Sequence, residues 1–525
     1  MLVARWERRP DRAVRTWAVR PNQPQPTSLE DFAAKFRLAL HDEISPVTLT
    51  GITMDSRSVE PGDLYVAVPG ARFHGASFSA DAVARGAVAI LTDASGVVDA
   101  TVSGVPVVVT VESPRELIGD IAAWLYRTDS AAPQLFGMTG TNGKTSTAHF
   151  LDSILRQLGI PTGLSSSAER RIGAEVMPST MTTPEAPELH ALVARMREVG
   201  VKAAVVEVSA HALTRHRVDG LVFDVAGFTN FAQDHLDDYA SMEEYFAAKL
   251  ELFTPAHARK AVVSLDTPAG ANVVALAGIP TTTITSLPEM SADWTVVVDE
   301  EQPSYTSFSL THAEYGSLAT RVPVIGRHMA ANGGLAIAML VEAGYSLTAI
   351  DAALHRDGGI TASLPGRAVH VPVPNGPAVY VDSGHTAEAF AKTLGAVRGL
   401  TAGRVIMVAG ANGDRDQSKR PEMGRQAALG SDVLIITDHQ PRSEDPAVIR
   451  EAVLAGARAA KPTGDIREVA SPAEAIRVAV REATADDAIL WAGLAEKNHR
   501  EVAGQKIPFS VLDETRGALA EAGWL

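Results

Sequence analysis

Phe136-Gly137-Met138-Thr139-Gly140-Thr141-Asn142-Gly143-Lys144-Thr145-Ser146 is the stretch on which the reading of this chain turns. A short apolar run ends in closely spaced glycines, and Gly-Lys-Thr then opens an amphipathic segment from Ala148 to Leu158. That is the layout of a phosphate cradle between a strand and a helix. The glycines let backbone N–H groups approach phosphates, the lysine supplies a point charge, and the threonine hydroxyl reaches Mg2+. Gly140, Thr141, Asn142, Gly143, Lys144, Thr145 and Ser146 are the candidate phosphate-binding residues. The usual spacing wants a glycine five residues before Gly143, where this chain has Met138.

Outward from that loop, the 525 residues form three blocks, enough for about three domains. Residues 1–26 carry several arginines but no apolar core of signal-peptide length, and read as a poorly ordered extension. The block 27–112 alternates β-rich runs (Leu64-Tyr65-Val66-Ala67-Val68, Val107-Val108-Val109-Thr110) with Gly/Pro turns and a helix near Ala80 to Arg85. The block 113–363 holds the loop and buried-strand candidates at Ala203-Ala204-Val205-Val206 and Val222-Phe223-Asp224-Val225-Ala226. The block 364–525 has strand candidates at 379–382, 404–409, 433–437 and 488–492, separated by helices. Strands alternating with helices predict an α/β chain, with a doubly wound parallel sheet at the loop and a Rossmann-like third block.

Composition narrows the function classes. A formal charge of −15 argues against bulk binding to nucleic acid or anionic membrane, so an anionic substrate would need a local Arg/Lys cluster. No segment is apolar and long enough to span a bilayer. The chain has no cysteine, so it holds neither disulfides nor thiolate metal sites.

Glu207 and His211 fall at the C-terminal end of a predicted strand, the edge at which open α/β sheets bind ligands. Asp234-His235 and Lys249 follow. Phosphoryl transfer needs oxygen or imidazole ligands for Mg2+, here Glu207 and His235, and positive charge at the phosphate, here Lys144.

In this order the motifs resemble the Mur ligase family, from about Gly51 to Arg442 and more weakly beyond. Gly-Thr-Asn-Gly-Lys-Thr-Ser is that family's phosphate loop, and Gly51-Ile52-Thr53-Met54-Asp55-Ser56-Arg57 resembles its uridine-nucleotide domain, with Ser56 a substrate contact. The resemblance implies that Thr182, Thr183, Ser209 and Arg217 hold a muramoyl-dipeptide, and that Thr145, Glu207 and His235 ligate Mg2+. It implies that Lys249 is carbamylated, which turns a cation into an anionic metal ligand. Asn332, Arg367, Asp382 and His385 match nucleotide contacts, although His328-Met329 and Ser383-Gly384 replace the family's Phe-Asn and Tyr-Ala.

The implied reaction is ATP-dependent amide formation on UDP-N-acetylmuramoyl-L-alanyl-D-glutamate with a free amino acid, through an acyl phosphate, in peptidoglycan precursor synthesis. The implied setting is a cytoplasmic monomer without nucleic-acid or membrane partners.

The third block would choose the amino acid. Arg415 is expected to grip its carboxylate, but the Asp-Asn-Pro-Arg of diaminopimelate-type enzymes appears as His439-Gln440-Pro441-Arg442. Aligned without a gap, the glutamate that would hold a distal ammonium is Lys497, which favours a neutral or acidic amino acid; with a gap it is Glu496, which restores a diamino substrate. Other readings are a catalytically reduced paralogue that binds the precursor, and a same-core amide ligase on another scaffold.

Overall fold

The computed structural model describes residues 19–40, 46–70, 73–101, 103–110, 113–494 and 498–525. The chain forms two compact units: one takes the chain up to Ala132 with Pro184–Val199 and Arg215–Leu221, the other takes Pro133–Thr183, Gly200–Thr214 and Val222–Leu525. Among the described residues no helix is long and apolar enough to cross a membrane.

The first unit is built on a five-stranded sheet ordered Ala39–Leu40, Val107–Thr110, Ala89–Asp93, Asp63–Ala67 and Gly51–Thr53, parallel except at the first pair. Helix Pro114–Tyr126 buries Ile118, Ile121, Ala122 and Leu125 against Phe32, Leu64, Val66 and Leu91, and Ala191 and Ala194 of helix Ala186–Glu198 join the same cluster. The unit therefore runs past the boundary read at residue 113, because the apolar face of that helix is spent on this sheet.

Within the expected N-terminal extension, Arg20 is tied down. Its guanidinium donates to the Ile52 carbonyl (2.7 Å), the Tyr126 hydroxyl (2.6 Å) and Asp63 Oδ2 (2.6 Å). The preceding residues 1–18 lie outside those described.

The second unit carries two large sheets and a two-stranded antiparallel ribbon, His499–Val502 with Gln505–Pro508. The larger has eleven strands, in the order Glu175–Pro178, Glu169–Ile172, Thr162–Ser165, Ala203–Glu207, Gln134–Thr139, Val225–Phe228, Ala261–Ser264, Thr281–Thr285, Trp294–Gln302, Tyr305–His312 and Gly316–Val322. Its central strands are parallel and both edges are antiparallel. The chain leaves Gln134–Thr139 toward one side of the sheet and returns to the other at Val225–Phe228, so the phosphate loop stands at the switch point where such sheets open a ligand crevice. Helix Lys144–Gln157 follows the loop, and helix Arg327–Glu342 buries Leu335, Ile337 and Met339 in the same core.

The smaller sheet runs Val369–Val371, Ala378–Asp382, Ala488–Ala492, Val405–Ala409, Val433–Ile436 and Asp465–Glu468, parallel after its first pair. The near-continuous apolar strands Val405–Ala409 and Ala488–Ala492 are buried throughout, as strands covered on both faces must be. The mixed α/β architecture with parallel sheets agrees with the fold class expected from the sequence.

Burial, partly offset by Arg20, pushes the Asp63 carboxyl up to about 6. Arg20→Ala is expected to destabilise the protein by about 3 kcal/mol, as removal of one partner of a buried pair does, measured by chemical denaturation. A carboxyl raised on folding is stabilising while protonated and loses that contribution as pH rises through its folded value. The deficit of the variant is therefore smallest near pH 4 and grows as pH rises past about 6.

Candidate active site

A cavity of about 570 Å3 in the second unit is lined along one side by Thr141 to Ser146 and along another by Asn412, Arg415, Asp416, Gln440 and Arg442. The phosphate loop reaches it through two close approaches. Gly140 has φ 143°, and any Cβ there would crowd Thr229 and the Asn230 backbone; Gly143 has φ 88°, and a Cβ would meet the Asn332 amide at 2.8 Å. Both positions need glycine for conformation and for space.

The Thr229-Asn230 turn holds the loop in place. Thr141 N donates to the Asn230 carbonyl (3.0 Å), Asn142 N to Asn230 Oδ1 (2.9 Å), and Thr229 Oγ1 to the Asn142 carbonyl (2.6 Å). Lys144 Nζ turns back onto the loop, donating to the Gly140 and Thr141 carbonyls at 2.8 and 2.9 Å.

Glu207 ends its strand fully buried. Its Oε1 accepts from Ser167 N (3.1 Å), while Oε2 has no hydrogen-bond partner. Burial raises its carboxyl against the opposing charge of Lys144. Thr145 Oγ1 lies 3.0 Å from Ser167 Oγ and accepts from Arg367 Nη2 at 3.1 Å. A buried carboxylate oxygen left bare beside the P-loop hydroxyl is what a hard cation fits.

Lys249 is buried with its Nζ 3.0 Å from the Gly140 carbonyl and 4.3 Å from the centre of the Tyr245 ring. Burial, and then the charge of Lys144, hold its ammonium well below the ordinary lysine range. The neutral amine this favours is the form that adds CO2.

His235 sits in the left-handed region at φ 57°. Its ring meets His211 edge-on with centroids 4.8 Å apart and Tyr245 at 5.8 Å, and burial lowers it to about 4. Its neighbour Asp234 accepts from Lys419 Nζ at 2.7 Å, both side chains being buried. Burial alone would raise Asp234, but Lys419, with His235 and His385 behind it, holds it below the usual carboxylate range. This bond joins the loop of the larger sheet to the start of helix Arg420–Gly430 beside the smaller one. The Lys-Arg-Pro run was visible in the sequence, but nothing in it points to a partner 185 residues away.

The remaining expected residues divide by what they touch. Thr182, Asn332, Arg367, Asp382, His385, Arg415, Gln440 and Arg442 line the cavity. Thr183 and Ser209 do not. Thr183 Oγ1 donates to the Glu207 carbonyl (2.8 Å) and accepts from Ser209 N (3.1 Å), so this hydroxyl braces the strand end. Asp382 accepts from Ala368 N and Gly384 N at 2.9 and 2.7 Å, shaping the turn it lines.

His439 is buried behind the cavity wall, where a Cβ on Gly410 would meet its ring at 3.1 Å and one on Gly493 would overlap it. Burial drives its imidazole down to about 3, so it is neutral. It does not itself line the cavity, but Gly493 against its ring and Gln440 beside it do. Ser56 and Arg217 belong to the first unit, where Arg217 pairs with Glu185 at 2.8 Å. Lys497 lies outside the described residues. Ser264, Asp266, His328 and Lys392 also line the cavity and were not assigned from sequence, since none belongs to a phosphate-loop or metal-ligand pattern.

Three family models match the chain: the Mur ligase family catalytic domain over residues 48–127, the Mur ligase middle domain over 138–340, and the Mur ligase glutamate ligase domain over 366–494. A UDP-N-acetylmuramyl-tripeptide synthetase of Leifsonia xyli subsp. xyli is 53% identical over 508 residues, 97% of this chain and 99% of that one. A UDP-N-acetylmuramoyl-L-alanyl-D-glutamate–2,6-diaminopimelate ligase of Streptomyces avermitilis is 40% identical over 494 residues, 93% and 96% of the two chains. Among solved structures, that of a UDP-N-acetylmuramoyl-L-alanyl-D-glutamate–2,6-diaminopimelate ligase superposes with a TM-score of 0.63 at 24% identity, covering 95% of this chain and 100% of that one. With family models in register on both sides of the phosphate loop and a relative matching nearly end to end, the chain belongs to the Mur ligase family.

Proposed function

We propose that the chain is an ATP-dependent ligase that joins an amino acid to the D-glutamate side-chain carboxylate of UDP-N-acetylmuramoyl-L-alanyl-D-glutamate. The observation that carries this reading is a single cavity lined both by the phosphate loop and by the cation pair Arg415 and Arg442. Such a cavity suits a nucleotide at one side and a carboxylate at the other.

The chemistry follows from where the charges stand. The loop N–H groups and Lys144, released from the Gly140 and Thr141 carbonyls, take the phosphates of ATP. The D-glutamate carboxylate attacks the γ-phosphorus, its oxygen forms the new P–O bond, and ADP leaves. The amino acid's free amine then attacks the acyl carbon, and the tetrahedral intermediate expels inorganic phosphate. Arg415 and Arg442 would hold the amino acid's carboxylate while its amine is presented. Thr145, Glu207 and His235 would hold Mg2+, with a carbamate on Lys249 as a further oxygen donor. Bound there, the ion offsets the charge that develops on the transferring phosphoryl group. One chain supplies all of these groups, which fits action as a monomer.

The amino acid is proposed to be other than meso-diaminopimelate. A neutral, buried His439 stands where diaminopimelate-type enzymes carry an aspartate, and Gln440, longer by one methylene than their asparagine, lines the cavity.

Phosphate release from ATP with the UDP-dipeptide and a panel of amino acids, followed by mass analysis of the product, tests both statements. Turnover with one amino acid other than diaminopimelate is expected; diaminopimelate as the best substrate would remove the second statement, and no turnover with any would remove the first. Lys249→Ala is expected to lose turnover by at least about 100-fold while still binding ATP, with partial recovery in added short-chain carboxylate. Full turnover in that variant would take Lys249 out of the mechanism.

A further inference from the structure

Helix Lys144–Gln157 grips the same two segments twice, one turn apart. At its start, Thr145 Oγ1 meets Ser167 Oγ at 3.0 Å and accepts from Arg367 Nη2 at 3.1 Å. Four residues on, on the same face of the helix, stands His149. Its Nδ1 lies 3.1 Å from the Ser363 carbonyl and its Nε2 lies 3.1 Å from Ser166 Oγ. Thr145 and His149 therefore both hold the turn after strand Thr162–Ser165 and the segment that leads into strand Val369–Val371 of the smaller sheet. His149 is 5% exposed, and unlike Thr145, Ser167 and Arg367 it does not line the cavity.

A carbonyl can only accept, so Nδ1 carries the ring proton and donates to Ser363. Burial lowers the imidazole to about 4, so the ring is neutral and Nε2 is an acceptor for the Ser166 hydroxyl. The Glu169 carbonyl, also within reach of that hydroxyl, already takes the Ser166 N–H. Ser166 Oγ in turn accepts from Ala168 N (3.2 Å) and Glu169 N (3.1 Å), which fixes the turn on which Ser167 N donates to Glu207. At the other end, Gly366 at φ 66° and Ala368 at φ 43° take the connecting segment through the left-handed region, which an alanine adopts only at a cost. Its course is held by anchors: His149 on Ser363, Ser383 N on the Gly366 carbonyl, and Asp382 on Ala368 N.

We propose that His149 is a positioning residue for the nucleotide site: by holding Ser363 and Ser166 on one helix face, it sets Arg367, Ser167 and Glu207 around Thr145. The inference rests on the reading of that site as the one that takes Mg·ATP. His149 touches no ligand and acts through the residues beside its two partners. A neutral imidazole suits the task, because its two nitrogens offer a donor to the carbonyl and an acceptor to the hydroxyl on one rigid ring.

The test is the affinity of the full-length protein for Mg·ADP, read by calorimetry in the native chain, His149→Phe and His149→Asn. Phenylalanine keeps a ring and loses both bonds, while asparagine can keep the bond to Ser363 alone. His149→Phe is expected to weaken Mg·ADP by about tenfold or more, as loss of an outer-shell partner does, with His149→Asn between it and the native chain. In turnover, KM for ATP is expected to rise while KM for the amino acid stays unchanged, a split that mere loss of folded protein would not give. In an Arg367→Ala background His149→Phe is expected to cost far less than it does alone, because both act on the surroundings of Thr145. Native affinity in folded His149→Phe would overturn the proposal, as would losses that simply add in the double variant. Should His149→Phe fail to fold, undiminished affinity in His149→Asn overturns it equally. A native chain that binds no Mg·ADP would remove the reading of the nucleotide site itself, and this inference with it.

Discussion

The cavity depends on how closely the backbone at Gly140 and Gly143 approaches Thr229, Asn230 and Asn332. Because neither position carries a side chain, the Thr229-Asn230 turn can hydrogen-bond directly to the loop, accepting from Thr141 N and Asn142 N and fixing the course of the backbone into helix Lys144–Gln157. A methyl group at Gly143 would push Asn332 back and open the loop from helix Arg327–Glu342. A phosphate site made of backbone donors has no side-chain freedom to lose when the nucleotide arrives, and this is the physical value of so constrained a turn.

That arrangement concentrates charge where water is scarce. Glu207, Lys249 and the Asp234–Lys419 pair are buried around the loop, and Lys144 is half-buried beside them. Burial disfavours the charged forms of Lys144, Glu207 and Lys249, whereas at Asp234 the neighbouring Lys419 ammonium reverses the effect. Buried charges of this kind are weak contributors to stability. Under the proposed function they would prepare the site for ligands: phosphate for Lys144, a cation for Glu207, CO2 for Lys249. The Asp234–Lys419 bond differs, since it is complete without a ligand. It ties the turn that carries His235 to the segment that carries Arg415, so the two substrate-facing loops share one anchor.

Much of this was legible in the residues and some was not. The glycine spacing placed the phosphate loop, and the apolar strands at 107–110 and 488–492 lie where their composition put them. The helix expected from Ala148 begins earlier, at Lys144, because Gly143 in the left-handed region starts it directly on the loop. The strand expected at 222–226 is displaced to Val225–Phe228; Phe223 bonds instead to His257 and Arg259 in the segment before strand Ala261–Ser264. Helix Pro114–Tyr126 shows an apolar stripe but not which sheet receives it, and so the extent of the first unit could not be read. The orientation of His439 was equally hidden: whether a strand-end imidazole faces a cavity or the core is decided by Gly410 and Gly493, which are remote in sequence. The contacts of Thr183 and Ser209 were likewise hidden: Thr183 Oγ1 bonds to the Glu207 carbonyl and Ser209 N, and Ser209 Oγ accepts from Ala212 N.

The central claim is that the cavity passes a phosphoryl group to a carboxylate before the amide forms. It is tested most directly by supplying UDP-N-acetylmuramoyl-L-alanyl-D-glutamate labelled with 18O in the D-glutamate side-chain carboxylate and analysing the inorganic phosphate after turnover. An acyl phosphate requires one carboxylate oxygen to leave with the phosphate, so each phosphate formed should carry one 18O. Unlabelled phosphate alongside labelled amide product would contradict the account, since the carboxylate would never have been phosphorylated.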